Sequence, residues 1–212
     1  MSAPEFDDRF CARLSDLFRW RRDVRHFRSD PIDDGTIAQL IAEAAQSPSV
    51  GFSQPWRFVL VKSPERRAQV TASFAAANAQ ALDGYRGSDA QRYASLKLSG
   101  LREAPVHLAV LCDTATDTGK GLGRQTMPET LAYSVAMCVY TFWLSARARG
   151  IGVGWVSILD PDAVTHALDL PQQWKLIAYL CVGYPMQQHE TPELERAGWE
   201  ARDERATTLY ER

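Results

Sequence analysis

No run of the 212 residues approaches the roughly 20 consecutive apolar side chains that a membrane-spanning helix needs, so a membrane protein is not expected. A secretory leader is not expected either: Met1 to Phe10 carries acids where an apolar core would sit. Cysteine is sparse. The four thiols, Cys11, Cys112, Cys138 and Cys181, lie far apart in apolar contexts, with no C-x-x-C or Cys/His spacing. That pattern argues against zinc and for buried free thiols in a reducing compartment. Together these absences predict a cytoplasmic protein. The four histidines are scattered, which supports neither a metal cluster nor a hydrolase triad. An excess of one charge is missing too: the formal net charge of −2 argues against a general nucleic-acid binder. Local clusters of arginine still leave room for a small anionic ligand.

Several nucleotide and hydrolase signatures fail on inspection. Gly150-x-Gly152-x-Gly154 has its third glycine misplaced for a dinucleotide fingerprint, and a strand pattern follows where a helix should open. Gly119-Lys120 is followed by Gly121 rather than Ser or Thr, so it is no phosphate-binding P-loop. Neither G-x-S-x-G nor H-E-x-x-H occurs.

What remains is an ordinary globular composition, 45% apolar and 24% charged, in a chain best read as one domain over residues 1–212. Residues 1–16 belong to an N-terminal helix region and 187–212 to a C-terminal extension. Phe6, Phe10, Leu14, Leu17 and Phe18 recur at helical spacing and predict a helix over 7–21. Ile37, Leu40, Ile41 and Ala44 predict a second, stopped by Ser47-Pro48. Helices are also predicted over 65–82, 93–102, 129–149 and 161–168, and strands over 58–61, 106–112, 153–158 and 176–182. The 129–149 helix is apolar nearly all round, which suits the centre of a core or an oligomer interface. The tail is polar yet carries Trp199, so it is expected to wrap a neighbour. The fold class is α+β, with helices dominating.

Three segments carry candidate chemistry. Arg21-Arg22-Asp23-Val24-Arg25 places three guanidinium groups within five residues at a helix end. Their rigid donor forks suit phosphate oxygens. A solvated helix terminus explains them equally well. Asp23 reads either as an ion-pair partner of these arginines or as a carboxylate able to move a proton. Ser47 to Trp56 joins small hydroxyl residues to an aromatic-flanked turn, or simply stops a helix. Gly150 to Ser157 offers a backbone without side chains and one hydroxyl, although a lone strand serine is usually structural. Arg202, near Trp199, reads by itself as a surface residue. The first two segments together suggest a phosphorylated, ring-bearing ligand.

In this order the segments resemble the flavin-dependent nitroreductase family, over most of the chain from Leu17 to Arg202. The resemblance rests on Arg-Arg-Asp-Val-Arg (21–25), Pro-Ser-Val-Gly-Phe-x-Gln-Pro-Trp (48–56), Ser-Leu-Lys-Leu-x-Gly-x-Arg-x-Ala-Pro (95–105), Gly-Val-Gly-Trp-Val-Ser (152–157) and Pro-Glu-Leu…Gly-Trp (192–199). It implies a mainly antiparallel central sheet flanked by helices, and a homodimer with a long central interface helix and FMN at the interface. Ordinary members commonly have Asn two residues before Gln-Pro-Trp and Ser where Asp23 stands. Here the first position is Phe52, and the only asparagine is Asn78. Both departures favour a branch in which reduced FMN is a substrate, fragmented with dioxygen as co-substrate. The alternative is an NAD(P)H-dependent nitro- or quinone reductase that recycles its FMN; a flavin-storing module without catalysis is a third reading.

For the first branch, the resemblance implies that Arg21, Arg22 and Arg25 hold the phosphate and ribityl end, with Arg202 completing the clamp. Val24 belongs to the same flavin-binding segment. Ser49 lines the ring, Lys97 and Leu98 supply polar and apolar walls, and Gly152 and Gly154 let the backbone approach the flavin. Asp23 is the expected acid/base. Ser157 is expected to hydrogen-bond the flavin and align proton transfer. Phe52, Trp56 and the 114–125 loop are expected to cover the site, which leaves NAD(P)H to a separate flavin reductase.

Overall fold

The computed structural model describes residues 3–212. Its order is α1 (Asp8–Trp20), α2 (Asp34–Ala44), β1 (Trp56–Leu60), α3 (Pro64–Leu82), α4 (Gly87–Ser95), β2 (Val106–Asp113), α5 (Thr130–Ala148), β3 (Gly152–Val156), α6 (Pro161–Ala167), β4 (Trp174–Gly183) and α7 (Glu193–Arg196). Caps fix the helix starts. Asp7, Asp33, Ser63 and Asp160 each accept a backbone N–H from the first turn of α1, α2, α3 and α6. Pro64 and Pro161 stand at the first helical position, where a missing N–H costs nothing.

The four strands form one antiparallel sheet in the order β1-β2-β4-β3. Alternation along the strands divides the core into two layers. Leu108, Val110, Leu180 and Val182 face α2 and α5, where Leu40, Val135, Val139 and Phe142 are buried. Ala109, Leu111, Tyr179 and Cys181 face the other way, onto Val70 of α3 and Val164 of α6. A continuous apolar run in β2 and β4 is what a sheet covered on both faces requires.

β3 is an edge strand, and the chain covers its exposed side. Asp23 bridges Val153 in parallel. The Val24 N–H donates to the Val153 carbonyl at 3.0 Å. Open backbone groups of the edge are thereby paired locally.

Four expectations need correction. The helix placed over 93–102 ends at Ser95, and its start lies earlier, at Gly87. At Leu96 the backbone turns extended and its N–H donates to the Tyr93 carbonyl at 3.0 Å, which closes the helix. Cys11 is exposed, unlike the other three thiols. Trp56 is a core residue and covers nothing. Trp199 docks on its own chain, edge-on to Tyr85 and Tyr93.

Candidate active site

The arginine-rich segment begins where α1 stops, with the Arg21 N–H donating to the Leu17 carbonyl at 2.9 Å. From Arg21 the backbone is extended, so side chains two apart share a side. Arg25 Nε accordingly meets Asp23 Oδ2 at 2.8 Å. The other carboxylate oxygen, Oδ1, accepts the Trp155 N–H at 2.9 Å. Asp23 therefore ties the segment to β3 by side chain as well as backbone. Burial pushes its carboxyl pKa up; Arg25 and the Trp155 N–H oppose that shift without cancelling it. Arg25 also donates to the Lys97 carbonyl at 2.9 Å.

Arg21 and Arg22 are placed differently. The Arg21 guanidinium lies 5.0 Å from the Trp143 ring centre and 5.9 Å from that of Tyr140, while its buried Nε has no hydrogen-bond partner. Arg22 Nε donates to the Glu190 carbonyl at 2.5 Å. Its pKa is held below the usual value, first by burial and then by the like charges of Arg21 and Arg202. Arg21, Arg22 and Arg202 line one cavity of about 630 Å³, with Arg19 beside them and Glu190 and Glu195 as the acids. A second cavity, about 380 Å³, lies between Arg22, Asp23, Arg25 and Trp143, closed by residues 185–189.

The segment thus unites Arg21, Arg22, Asp23, Val24 and Arg25, and the tail brings Arg202 to them. Ser49, Lys97, Leu98, Gly154 and Ser157 line neither cavity. Ser49 Oγ accepts the Gln54 N–H at 3.0 Å, inside a turn held on α5 by the Val50 N–H and Ser134 Oγ. Lys97 Nζ pairs with Glu103, and Ser157 is exposed just past β3. The reason expected for the glycines is replaced. A Cβ on Gly154 would lie 2.1 Å from the Val24 carbonyl oxygen, and one on Gly152 would meet the Val24 side chain at 2.8 Å. The bare backbone admits the chain's own 21–25 segment.

Sequence reasoning missed the strap over the arginines. Arg19 pairs with Glu190 at 3.4 Å, His26 stands 3.5 Å from Glu193, and Arg147 donates to Gln188 at 2.8 Å. These are single polar contacts between remote segments, and no periodicity signals them. Among the described residues no group of His, Cys, Asp and Glu is arranged to hold a metal ion, and no helix is long and apolar enough to cross a membrane.

An antiparallel four-stranded sheet between helices, with arginines gathered beside its covered β3 edge, frames an anion-binding class of site, and the chain belongs to the nitroreductase family, whose model matches residues 18–184. Among curated proteins, it is 58% identical over 203 residues to 5,6-dimethylbenzimidazole synthase of Rhodospirillum rubrum, covering 95% of each chain. It is 49% identical over 199 residues to a 5,6-dimethylbenzimidazole synthase of Rhodobacter capsulatus, covering 94% of this chain and 95% of the relative. Among solved structures, iodotyrosine deiodinase bound to FMN and 3-iodo-L-tyrosine superposes with a TM-score of 0.70 at 23% identity, covering 83% of this chain and 91% of that one. That last likeness concerns the fold.

Proposed function

We propose that this chain catalyses the synthesis of 5,6-dimethylbenzimidazole, the lower ligand of vitamin B12, from reduced FMN and dioxygen, with erythrose 4-phosphate and the remnant of the flavin's pyrimidine ring as the other fragments. One observation carries the reading: identity of 58% to a synthase of that name, sustained over 95% of both chains. The residues fit the flavin's phosphate end. Arg21 offers an unpartnered buried donor beside Arg22, and Arg202 completes a like-charged group that an anion would relieve.

Reduced FMN supplies both the carbon skeleton and the electrons that dioxygen accepts. The protein's part is binding, orientation and proton control. Arg21, Arg22 and Arg202 hold the phosphate. Arg25 holds Asp23 in place and, through the Lys97 carbonyl, anchors the segment that carries Lys97 and Leu98. Asp23, its pKa raised by burial, keeps a proton more readily than an exposed carboxylate and delivers or takes it at Oδ1 or Oδ2. Ser157 offers an exposed hydroxyl just past β3, which in this reading hydrogen-bonds the flavin.

Ser49 lies on another part of the surface and reaches the flavin from a second subunit. That arrangement needs a homodimer. The face of α5 opposite the core supports one, with Tyr133, Met137 and Tyr140 exposed at helical spacing. Phe52 and Leu122 add to it from the packed 49–54 and 119–123 loops. Phe52 at the flavin leaves little room for a nicotinamide to stack, so a separate reductase supplies reduced FMN in the cytoplasm.

The test is a single turnover. Protein loaded with FMN is reduced anaerobically, mixed with oxygen, and its small molecules are separated by chromatography. Loss of FMN with appearance of dimethylbenzimidazole is expected. Full recovery of oxidised FMN would overturn the proposal.

A further inference from the structure

The aromatic cluster formed by Trp199, Tyr85 and Tyr93 lies outside the site and joins two elements that reach it. Tyr85 and Tyr93 stack with centroids 4.7 Å apart. The Trp199 indole meets them edge-on, at 5.4 Å and 6.1 Å. Tyr93 is buried, and its hydroxyl donates to Asn78 Oδ1 at 2.9 Å, which fixes the platform to α3. On the tail side, Gly198 with φ of 68° turns the chain after α7, and the Trp199 N–H donates to the Leu194 carbonyl at 2.8 Å. Trp199 is therefore held by its backbone at the end of α7 and by its ring on the two tyrosines.

The positions on either side matter. Arg202 follows Trp199 by three residues and lines the same cavity as Arg21 and Arg22. α4, which carries Tyr93, ends at Ser95, two residues before the Lys97 carbonyl that receives Arg25. Beyond Trp199 the tail is exposed throughout, so nothing else in the chain buries the peptide that carries Arg202. An arginine on an unanchored tail must lose its chain freedom each time an anion binds. One on an anchored tail has lost it already.

We infer that Trp199 is a positioning residue for the flavin phosphate: docked on Tyr85 and Tyr93, it holds the C-terminal extension so that Arg202 faces Arg21 and Arg22. This rests on the FMN reading above. Trp199 contributes binding through Arg202 and takes no part in the chemistry.

The experiment compares oxidised FMN with riboflavin, which lacks the phosphate, by flavin-fluorescence titration of the full chain. Trp199→Ala is expected to weaken FMN by about tenfold and riboflavin hardly at all, with Trp199→Phe restoring most of the loss. Arg202→Ala should show the same discrimination, and the double variant should be no worse than either single one. Product per turnover at saturating flavin should persist in Trp199→Ala, separating binding from catalysis. Additive losses in the double variant, or equal loss for both flavins, would overturn the inference. Limited trypsin digestion reads the docking without any ligand. Faster release of the tail is expected in Trp199→Ala, and an unchanged rate would refute the docking itself. Wild-type protein that bound neither flavin would remove the FMN reading, and with it the phosphate role, whatever trypsin showed.

Discussion

Burial and charge pull the Asp23 carboxyl in opposite directions, and burial prevails. Both oxygens are already engaged, one by Arg25 and one by the Trp155 N–H. Its proposed acid/base role therefore uses the remaining lone pairs of an oriented group. Asp23→Asn keeps the shape but cannot release a proton. We expect dimethylbenzimidazole formation to fall by about a hundredfold or more, while FMN binding stays within about threefold. The check is the single-turnover assay beside a flavin titration; normal product yield would return Asp23 to a purely structural tie. His107 gives a second test at this scale. It is fully buried, its Nδ1 3.0 Å from the Tyr179 hydroxyl, and burial lowers its pKa to about 4. Arg67 adds to that lowering. In the unfolded chain it titrates near its ordinary 6.5. Between those values the unfolded state takes up a proton that the folded state refuses, so the contribution is complete above pH 6.5 and is lost as pH falls toward 4. The loss is on the order of 3 kcal/mol. Urea unfolding across that range should slope less steeply in His107→Gln than in wild type.

The site depends on an edge strand that accepts the 21–25 segment as its neighbour. Gly154 makes this docking possible, because the Val24 carbonyl occupies the place of its Cβ. Gly154→Ala should push the segment off β3, cost about 1–3 kcal/mol in urea unfolding, and weaken FMN binding along with it. Unchanged binding would show that the arginines do not need β3. From sequence, Gly-x-Gly invited a ligand-facing explanation, because glycine spacing reports that something approaches closely without saying what. The strands and long helices were legible, since their periodicity is a local property of the chain. The end of α4 was not: the chain turns extended at Leu96, with no proline or glycine beside it to signal the stop.

At the scale of the whole molecule, α5 has two apolar faces and only one of them meets this chain's core. Leu131, Val135, Cys138 and Phe142 pack inward, and Tyr133, Met137 and Tyr140 point outward. Phe52, 75% exposed, and Leu122, 73% exposed, extend the outer surface from two neighbouring loops. A charge on that face would be buried without a partner in a dimer. If the proposed homodimer forms through this face, Met137→Glu is expected to convert it to a monomer in sedimentation velocity and to weaken flavin binding, since the proposal brings Ser49 to the flavin from the second subunit. A variant that sediments like wild type would assign the dimer contact elsewhere.

The sequence by itself determined the order of the strands and the longer helices and the five short segments that carry the family resemblance. Those features depend on residues close together in the chain. Tertiary structure decided which arginines share a cavity, why Gly154 is bare, and that Trp199 docks on its own Tyr85 and Tyr93. It also separated Arg25 from its two neighbours: Asp23 and the Lys97 carbonyl claim it, while Arg21 and Arg22 turn toward Arg202. Three arginines within five residues look alike along the chain. What distinguishes them is what folding brings to each: a carbonyl 168 positions away for Arg22, one 72 away for Arg25, and the Trp143 and Tyr140 rings for Arg21.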